Sequence, residues 1–456
     1  MKLIKEKLAA LRQAMKQTGV SAYIIPGTDP HASEYIADYW KEREWISGFD
    51  GSAGTAALTL DKAGLWTDSR YFLQGSEQLA GTEIELMKQG LPETLEIVPW
   101  LATELKQGDK VGVNAEMFSV NAFSSMRTEL ALSGIELVNI DLIKIAWTDR
   151  PSLPQNPFFV FDAKYTGKTI AEKLADVRAE MKKLHADVYV LSALDDIAWL
   201  YNIRGNDVDY NPVVIAYATV CANNTSLYIS SEKITAETQK YLSDNAVEVK
   251  DYFAIREELA KIPTDKSVLV DGGKFNQSLF EAIPAACTKR IAMSPVFRLK
   301  AVKNSVEMEG VRRAMVKDGV AMTRFFRWFE DKLGSEKLTE ISITEKLRGF
   351  RAEQQGFKGE SFGTIAGCNG HGAIVHYKAT PESDAEISAN GILLLDSGGQ
   401  YLDGTTDITR TVALSEPSDQ AKIDNTLVLK GHIQLAMAKF PVNTRGSQLD
   451  ILARKA

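Results

Sequence analysis

The sequence predicts an α/β protein with two similar N-terminal domains and a third domain of different character. Each of the first two domains opens with an amphipathic helix, over Lys2–Thr18 in one and Ile170–Leu184 in the other. A short apolar strand follows each helix, at 22–25 and at 188–191. Further β-rich segments follow in both copies, so the order of elements indicates a duplicated domain.

Prolines mark the expected domain junctions. Pro151 and Pro154 lie close together after the first copy, and Pro295 follows the second. Proline fixes its own φ angle and disfavours helix in the residue before it, so it is common where elements end. We therefore expect domains at residues 1–153, 154–297 and 298–456.

The third domain is expected to begin with one long helix over Val306–Leu333. Its apolar spacing offers a face for burial that comprises Val311, Met315, Val320, Phe325 and Trp328. A second helix would run to Gln355, with Ser342 and Glu345 as its capping box. Beyond it we expect strands at 362–366, 373–377, 391–395 and 406–414, and helices at 419–439 and from Ser447 onward.

Composition argues against several classes of protein. The chain has 456 residues, of which 45% are hydrophobic and 25% charged, and its net charge is −7. It has no stretch dense in Lys and Arg, which argues against nucleic acid or an anionic membrane as the main partner. The N-terminal segment lacks the apolar core of a signal peptide, and no apolar run is long enough to predict a membrane-spanning helix. Three widely spaced cysteines fit a reduced, cytoplasmic protein.

Two aspartates flank a predicted hairpin turn and suggest a metal site. Asp396 ends an apolar strand, Asp403 and Gly404 form a strong turn pair, and Asp407 begins the return segment. Carboxylates brought together in this way repel each other unless a cation lies between them. Hard divalent ions take such oxygen ligands, and two-metal hydrolases use carboxylates to hold a pair of ions. The alternative is that both acids are only solvated turn residues.

One histidine lies close to these aspartates along the chain. His376 follows an apolar segment shortly before Asp396, and it could face the same pocket as a hydrogen-bonding group. The alternative is a structural histidine whose hydrogen bonds are satisfied within the fold. His371 is interpreted as a loop residue, whereas His31, His185 and His432 belong to no motif.

The segments 372–377 and 396–411 closely resemble aminopeptidase P, the Xaa-Pro aminopeptidases of the creatinase or "pita-bread" group. The same resemblance extends over the segments 47–55, 66–74, 145–151, 198–205 and 301–305. It is closest to the long cytosolic form, which has two creatinase-like N-terminal α/β domains before a pita-bread catalytic domain. The predicted duplication agrees with this form, because prolidase and the short bacterial form have one such domain.

The resemblance implies a function and roles for four residues. It implies a cytoplasmic, metal-dependent aminopeptidase that removes the N-terminal residue from peptides with proline in second position. Asp396 and Asp407 would bind two divalent ions, usually Mn²⁺, and His376 would be the catalytic histidine that lines the substrate site. Arg70 would bind substrate, although an ion pair with Asp68 is an equally good interpretation of it.

Other ligands of this family are absent from the sequence. The family has a further histidine in a Gly-rich motif and two glutamates after the aspartates, and nothing after His432 in this chain matches them. We therefore expect an incomplete pita-bread domain, with only its N-terminal half present, and a chain that is inactive by itself. A non-catalytic peptide-binding module and a prolidase-like dipeptidase are the alternatives, and a homodimer is left open.

Overall fold

Two six-stranded sheets organise the first two thirds of the computed structural model, which describes residues 3–456. The first sheet has the strand order β4-β3-β2-β1-β5-β6, and its central strand β1 is antiparallel to β2 and parallel to β5. Its strands are β1 Ala22–Pro26, β2 Thr55–Thr59, β3 Ala63–Thr67, β4 Ile84–Lys88, β5 Lys110–Val113 and β6 Glu136–Asn139. The helices around it are α1 Ile4–Thr18, α2 Glu42–Ser47, α3 Phe72–Gln78, α4 Ile97–Glu104, α5 Val120–Leu132 and α6 Ile143–Ala146.

The second sheet repeats the topology of the first. Its order is β12-β11-β10-β8-β13-β14, and its central strand β8 is again antiparallel to one neighbour and parallel to the other. Its strands are β8 Val188–Leu191, β10 Tyr217–Cys221, β11 Thr225–Tyr228, β12 Val247–Lys250, β13 Ser267–Val270 and β14 Thr288–Ile291; the pair β7 Phe159–Val160 and β9 Ile203–Arg204 lies beside it. The helices are α7 Ala163–Thr166, α8 Ile170–Lys183, α9 Leu194–Leu200, α10 Ala236–Asp244, α11 Ile255–Ala260, α12 Gln277–Ala282 and α13 Pro295–Ala301.

The third region packs two helices against a small antiparallel sheet. The sheet has the order β16-β17-β19, and β15 pairs separately with β18. Apolar residues of the helices and of β17 form one core, which includes Phe325, Phe329, Ile343, Leu347, Leu393 and Leu395. The elements are α14 Ser305–Lys332, α15 Glu340–Ala352, β15 Phe357–Glu360, β16 Ile365–Cys368, β17 Ile392–Ser397, β18 Gly399–Tyr401, β19 Ile408–Ala413, α16 Asp419–Ala436 and α17 Gly446–Arg454.

The buried face of α14 differs from the predicted one. Phe325 is buried as predicted, but Val311, Met315 and Val320 are about two-fifths exposed. The buried face also carries the small or charged residues Gly310, Ala314, Asp318 and Ala321. An apolar pattern cannot identify this face, because the backbone of the hairpin comes so close to α14 that only small residues fit between them. A Cβ atom on Gly310 would lie 2.5 Å from the carbonyl oxygen of Asp403.

The predicted strand at 373–377 is wrong. A 3₁₀ helix over Asn369–Ala373 and a turn occupy this segment. The buried carboxylate of Glu340 holds the loop by accepting hydrogen bonds from the Tyr377 hydroxyl at 2.8 Å and from the backbone N–H of Cys368 at 2.8 Å. Local pattern gave no indication of this contact, because Glu340 lies more than 25 residues before the segment that it holds.

Helix ends differ from the predictions by a few residues. Thr339, not Ser342, is the N-cap of α15, and Arg445, not Ser447, precedes α17. The predicted start of α1 at Lys2 lies outside the described residues. Each helix within residues 3–456 is too short or too polar to cross a bilayer.

Candidate metal and substrate site

A hairpin brings Asp396 and Asp407 to one face of the third domain. In the ladder between β17 and β19, Asp396 pairs with Thr409. The same register continues to a tight turn over 401–404, so Asp407 stands opposite Gly398. Asp407 therefore lies two residues from Thr409 on the same side of the ladder, diagonal to Asp396. The turn places Asp403 and Gly404 at its third and fourth positions, so the predicted central pair is off by one residue, and glycine is favoured at the fourth position.

Gly398 makes this close hairpin possible. A Cβ atom at this position would lie 2.0 Å from the carbonyl oxygen of Thr406 and 2.1 Å from Ser361 Oγ. Ser361 Oγ itself donates a hydrogen bond to the Thr406 carbonyl at 2.8 Å. A side chain at position 398 would therefore push apart the two segments that carry the aspartates.

The electrostatics of the pair fit a cation. Asp396 Oδ1 is buried and accepts no hydrogen bond from any residue in the described part of the chain. Burial raises the pKa of Asp407, and the neighbouring charge of Asp396 raises it further. A buried carboxylate oxygen without a partner is costly, and a bound cation would remove that cost. Within residues 3–456, no group of three or more His, Cys, Asp and Glu side chains is arranged to hold a metal ion.

His376 reaches the site from the turn after the 3₁₀ helix. Its Nδ1 atom forms a hydrogen bond with the hydroxyl of Tyr71, which comes from the first domain. The two rings meet edge to face, with centroids 5.2 Å apart. Burial lowers the pKa of His376, and the positive charge of Arg70 lowers it further. The imidazole is therefore biased towards its neutral form.

Arg70 forms the predicted ion pair with Asp68, and its role in substrate binding stays a prediction. Its Nε and one terminal nitrogen donate to the two carboxylate oxygens of Asp68 at 2.8 and 2.7 Å. This bidentate contact lowers the pKa of Asp68. The Arg70 side chain also lines the same cleft as His376, so the ion pair does not remove it from the site.

The cleft that contains these groups draws residues from all three domains. Its volume is about 470 Å³. Six carboxylates and four cationic side chains line it, together with aromatic and apolar groups. The walls include Tyr35 and Arg43 from the first domain, Tyr210 from the second, and Phe362, Asp396 and Asp407 from the third. This excess of negative charge favours a ligand with a positively charged end.

Sequence reasoning missed Tyr71 and Ser52 as members of the site. Tyr71 is buried, and its hydroxyl lies 2.7 Å from Ser52 Oγ as well as against His376. Both residues fall inside segments that carry the family resemblance, which was the available indication. Their position opposite His376 follows from the packing of the first domain on the third.

Among the described residues that line the cleft, His376 is the only histidine, and the others lie elsewhere in the structure. His371 Nδ1 lies 2.9 Å from the buried Glu340 carboxylate. His371, which was predicted to be a loop residue, therefore also helps to hold the loop in place. His31 is buried between the first two domains, 2.8 Å from the carbonyl of Ser192 and 2.9 Å from the hydroxyl of Tyr252. His432 is exposed on α16.

Comparisons with family models agree with this architecture. Residues 7–146 and 149–307 each match a model of the creatinase/prolidase N-terminal domain. Residues 309–456 match the metallopeptidase family M24. The predicted fold class, with two creatinase-like domains before a pita-bread catalytic domain, is confirmed. The expectation that this domain is incomplete is not borne out, because the M24 match extends to residue 456.

Related proteins cover nearly the whole chain. It is 41% identical to a probable Xaa-Pro aminopeptidase P of Sordaria macrospora, over 99% of this chain and 76% of the relative. It is 37% identical to aminopeptidase P2 of Arabidopsis thaliana, over 100% of this chain and 69% of the relative. A solved structure of the Caenorhabditis elegans X-prolyl aminopeptidase, described as a cytosolic enzyme with a di-nuclear active site, matches with a TM-score of 0.93. It is 35% identical and is matched over 100% of this chain and 77% of its own. The chain therefore belongs to the Xaa-Pro aminopeptidase P family of metal-dependent aminopeptidases.

Proposed function

We propose that this aminopeptidase removes the N-terminal residue from peptides with proline in second position, using two divalent metal ions held in part by Asp396 and Asp407. The observation that carries the proposal is the buried, unpartnered Oδ1 of Asp396, next to Asp407, whose pKa is raised by burial and by the charge of Asp396. The relatives named above support both the substrate class and the di-nuclear site. We propose Mn²⁺ as the metal, because the family that the motifs resemble usually carries it.

The residues of the cleft have different roles in the proposed reaction. Divalent ions bound at the aspartates would supply Lewis-acid polarisation of the scissile carbonyl and activation of the attacking water. Asp396 in β17 and Asp407, which immediately precedes β19, would hold these ions. His376, biased to its neutral form, is available to donate a hydrogen bond to the substrate from the imidazole nitrogen that Tyr71 does not occupy. Arg70 lies at the same wall and binds the substrate while it remains paired with Asp68.

The cleft suits the amino end of a peptide. The α-amino group of a substrate is positively charged near neutral pH, and carboxylates outnumber cationic groups in the walls. The bond before a proline is a tertiary amide that lacks an N–H group. A site for this bond needs no acceptor for that hydrogen, and apolar residues such as Tyr35, Phe362 and Ile365 can contact the ring.

Three further parts of the proposal concern the whole molecule. We infer a cytoplasmic location, supported by the C. elegans enzyme, which is described as cytosolic. The homodimer that the family resemblance leaves open stays a prediction. The domain boundaries after residues 153 and 297 remain predictions.

Metal binding tests the assigned ligands directly. Mn²⁺ added to the metal-free chain loses its free-ion electron paramagnetic resonance signal on binding, which gives a stoichiometry and an affinity. Asp396→Asn and Asp407→Asn are each expected to weaken binding at least tenfold, because even outer contacts to a metal are worth ten- to a hundredfold. Asp424→Asn, on the exposed surface of α16, is the matched control. Unchanged affinity in both site variants would refute the assignment.

Peptide selectivity tests the substrate class. In the presence of Mn²⁺, a Xaa-Pro-Xaa tripeptide is expected to bind more tightly than a Xaa-Ala-Xaa tripeptide by calorimetry, and Arg70→Gln is expected to weaken it. Preference for a Xaa-Pro dipeptide over the tripeptide would favour the prolidase-like alternative, and equal binding of all three would refute the proposal. Hydrolysis is measured in parallel. The expectation that this chain alone is inactive stays a prediction, which turnover with tightly bound Mn²⁺ would contradict.

A further inference from the structure

A buried tyrosine of the first domain has its hydroxyl on the histidine of the third. Tyr71 is 1% exposed, and its hydroxyl contacts His376 Nδ1 on one side and Ser52 Oγ on the other, the latter at 2.7 Å. Residues 71 and 376 are separated by 305 positions in the chain. The contact therefore joins two domains at the cleft.

The pocket around Tyr71 is built to hold its ring in one orientation. Phe49 meets it edge to face with centroids 5.7 Å apart, and the Arg70 guanidinium lies 5.3 Å from its centroid. Gly51 leaves the space that the ring needs, because a Cβ atom there would lie 2.7 Å from Tyr71 Cδ1. The carbonyl of Gly51 is fixed in turn by the buried Arg43, which donates to it at 2.5 Å. Such enclosure directs the hydroxyl towards His376.

His376 depends on this contact for its own orientation. It stands in a turn, not in a helix or strand, so regular backbone structure does not fix it. Within residues 3–456, Tyr71 is the only side chain or backbone group that hydrogen-bonds its ring. Its second ring nitrogen, Nε2, is thereby left for the cleft that the residue lines.

The chemistry of the three groups sets the direction of the hydrogen bonds. The phenol of Tyr71 is a stronger acid than the aliphatic hydroxyl of Ser52, and a neutral imidazole has one nitrogen that accepts. The favoured order is Ser52 donating to Tyr71, and Tyr71 donating to Nδ1. The remaining proton of the neutral imidazole must then reside on Nε2, where it can be donated to a ligand.

We propose that Tyr71 is a positioning residue, which holds His376 in the Nε2-protonated tautomer with Nε2 directed into the cleft. The first domain then acts as more than a wall of the site, since it selects which nitrogen of a third-domain histidine is the donor. The role in substrate binding rests on the proposed function. The tautomer itself does not, so it can be tested whether or not the chain turns over a peptide.

Nitrogen-15 NMR of histidine side chains in the metal-free protein tests the proposal. The chain has only five histidines, and His376→Gln identifies the signals of residue 376 by their loss. In the unaltered protein at pH 8, we expect Nε2 to have the shift of a protonated nitrogen and Nδ1 that of a hydrogen-bonded acceptor. In Tyr71→Phe, the two shifts should move towards each other as both tautomers become populated.

Two variants make the result specific. Tyr252→Phe removes the hydroxyl next to His31 and should move the signals of that histidine while those of His376 stay in place. Ser52→Ala keeps the Tyr71 contact with His376 and should retain the tautomer. If Tyr71→Phe does not fold, the shifts of the unaltered protein still decide the proposal. In metal-loaded protein, Tyr71→Phe should also weaken binding of a Xaa-Pro-Xaa peptide about five- to tenfold.

The proposal would be overturned by a proton on Nδ1 of His376 in the unaltered protein, or by unchanged shifts in a folded Tyr71→Phe variant. Loss of peptide selectivity with an intact tautomer would count against the proposed function and leave the positioning role standing. The two failures are therefore distinguishable.

Discussion

The buried ion pair between Arg351 and Asp318 should control the stability of the strand that carries Asp396. Both side chains are fully buried, with Arg351 Nε 2.7 Å and a terminal nitrogen 3.1 Å from the two carboxylate oxygens. The same terminal nitrogen donates to Ser397 Oγ at 3.1 Å, and the Tyr401 hydroxyl donates to Asp318 at 2.9 Å. The pair thus joins α14 and α15 to the hairpin, one residue from Asp396.

Removal of one charge leaves the other buried and uncompensated. Asp318→Asn keeps the shape of the side chain but takes away the negative charge that neutralises Arg351. Such a change costs about 3–5 kcal/mol, because a buried guanidinium cannot recover its hydration. Each 1.4 kcal/mol is a factor of ten in an equilibrium constant. The equilibrium constant for local opening should therefore increase by a factor of about a hundred to a few thousand.

Hydrogen exchange read by mass spectrometry measures this opening. Amides of β17 and β19 should exchange faster by that factor in Asp318→Asn, while the sheets of the first two domains keep their rates. Glu353→Gln is the matched control, because it breaks an exposed ion pair with Arg324 between the same two helices. That change should cost no more than about 1 kcal/mol.

If Asp318→Asn accelerated amide exchange in β17 and β19 no more than Glu353→Gln does, the ion pair would not be needed to hold the hairpin, and the prediction would be wrong. Replacement of both partners by apolar residues, as in Asp318→Leu with Arg351→Met, provides the complementary test. It should restore much of the protection, because the cost arises from an unpaired charge and not from the absence of a pair.

Two further predictions concern the aspartate hairpin. The raised pKa of Asp407 means that its ionised form is disfavoured in the folded, metal-free protein. The stability that the protonated side chain contributes is therefore fully present below the pKa of the unfolded chain, and it is lost as the pH rises through the pKa of the folded protein. Asp407→Asn should therefore raise the free energy of unfolding at pH 7 by up to about 1 kcal/mol and leave it unchanged at pH 3, as measured by urea titration. A substitution effect of the same size at both pH values would contradict the repulsion between the two carboxylates. Gly398→Ala should destabilise the protein by about 1–3 kcal/mol or more, because the new Cβ atom meets backbone and side-chain oxygens about 2 Å away. Gly370→Ala, where no atom lies within 4 Å of the new Cβ, is its control in thermal unfolding.

Several features of the molecule could be predicted because neighbouring residues determine them. The order of helices and strands in the first two domains follows from local periodicity, and its repetition indicated the duplication that the two sheets share. The hairpin between Asp396 and Asp407 is equally local, because a two-residue loop sets its register. The motifs around it were specific enough to indicate the family.

Other features depend on segments that are distant in the chain. The side of α14 that becomes buried carries Gly310 and Asp318, which no apolar pattern selects, because a close backbone contact and a buried charge decide it. The segment at 373–377 has the composition of a strand but turns instead, since Glu340 binds its groups.

Short-range patterns along the chain were enough to predict the fold class, the duplicated N-terminal domain and the hairpin that carries Asp396 and Asp407. The three-dimensional structure was needed to show that Tyr71 contacts His376 and that Arg70 lines the cleft while it pairs with Asp68. The protonation, tautomer and orientation of a side chain depend on the groups that packing brings to it, and Tyr71 and His376 lie 305 positions apart in the chain.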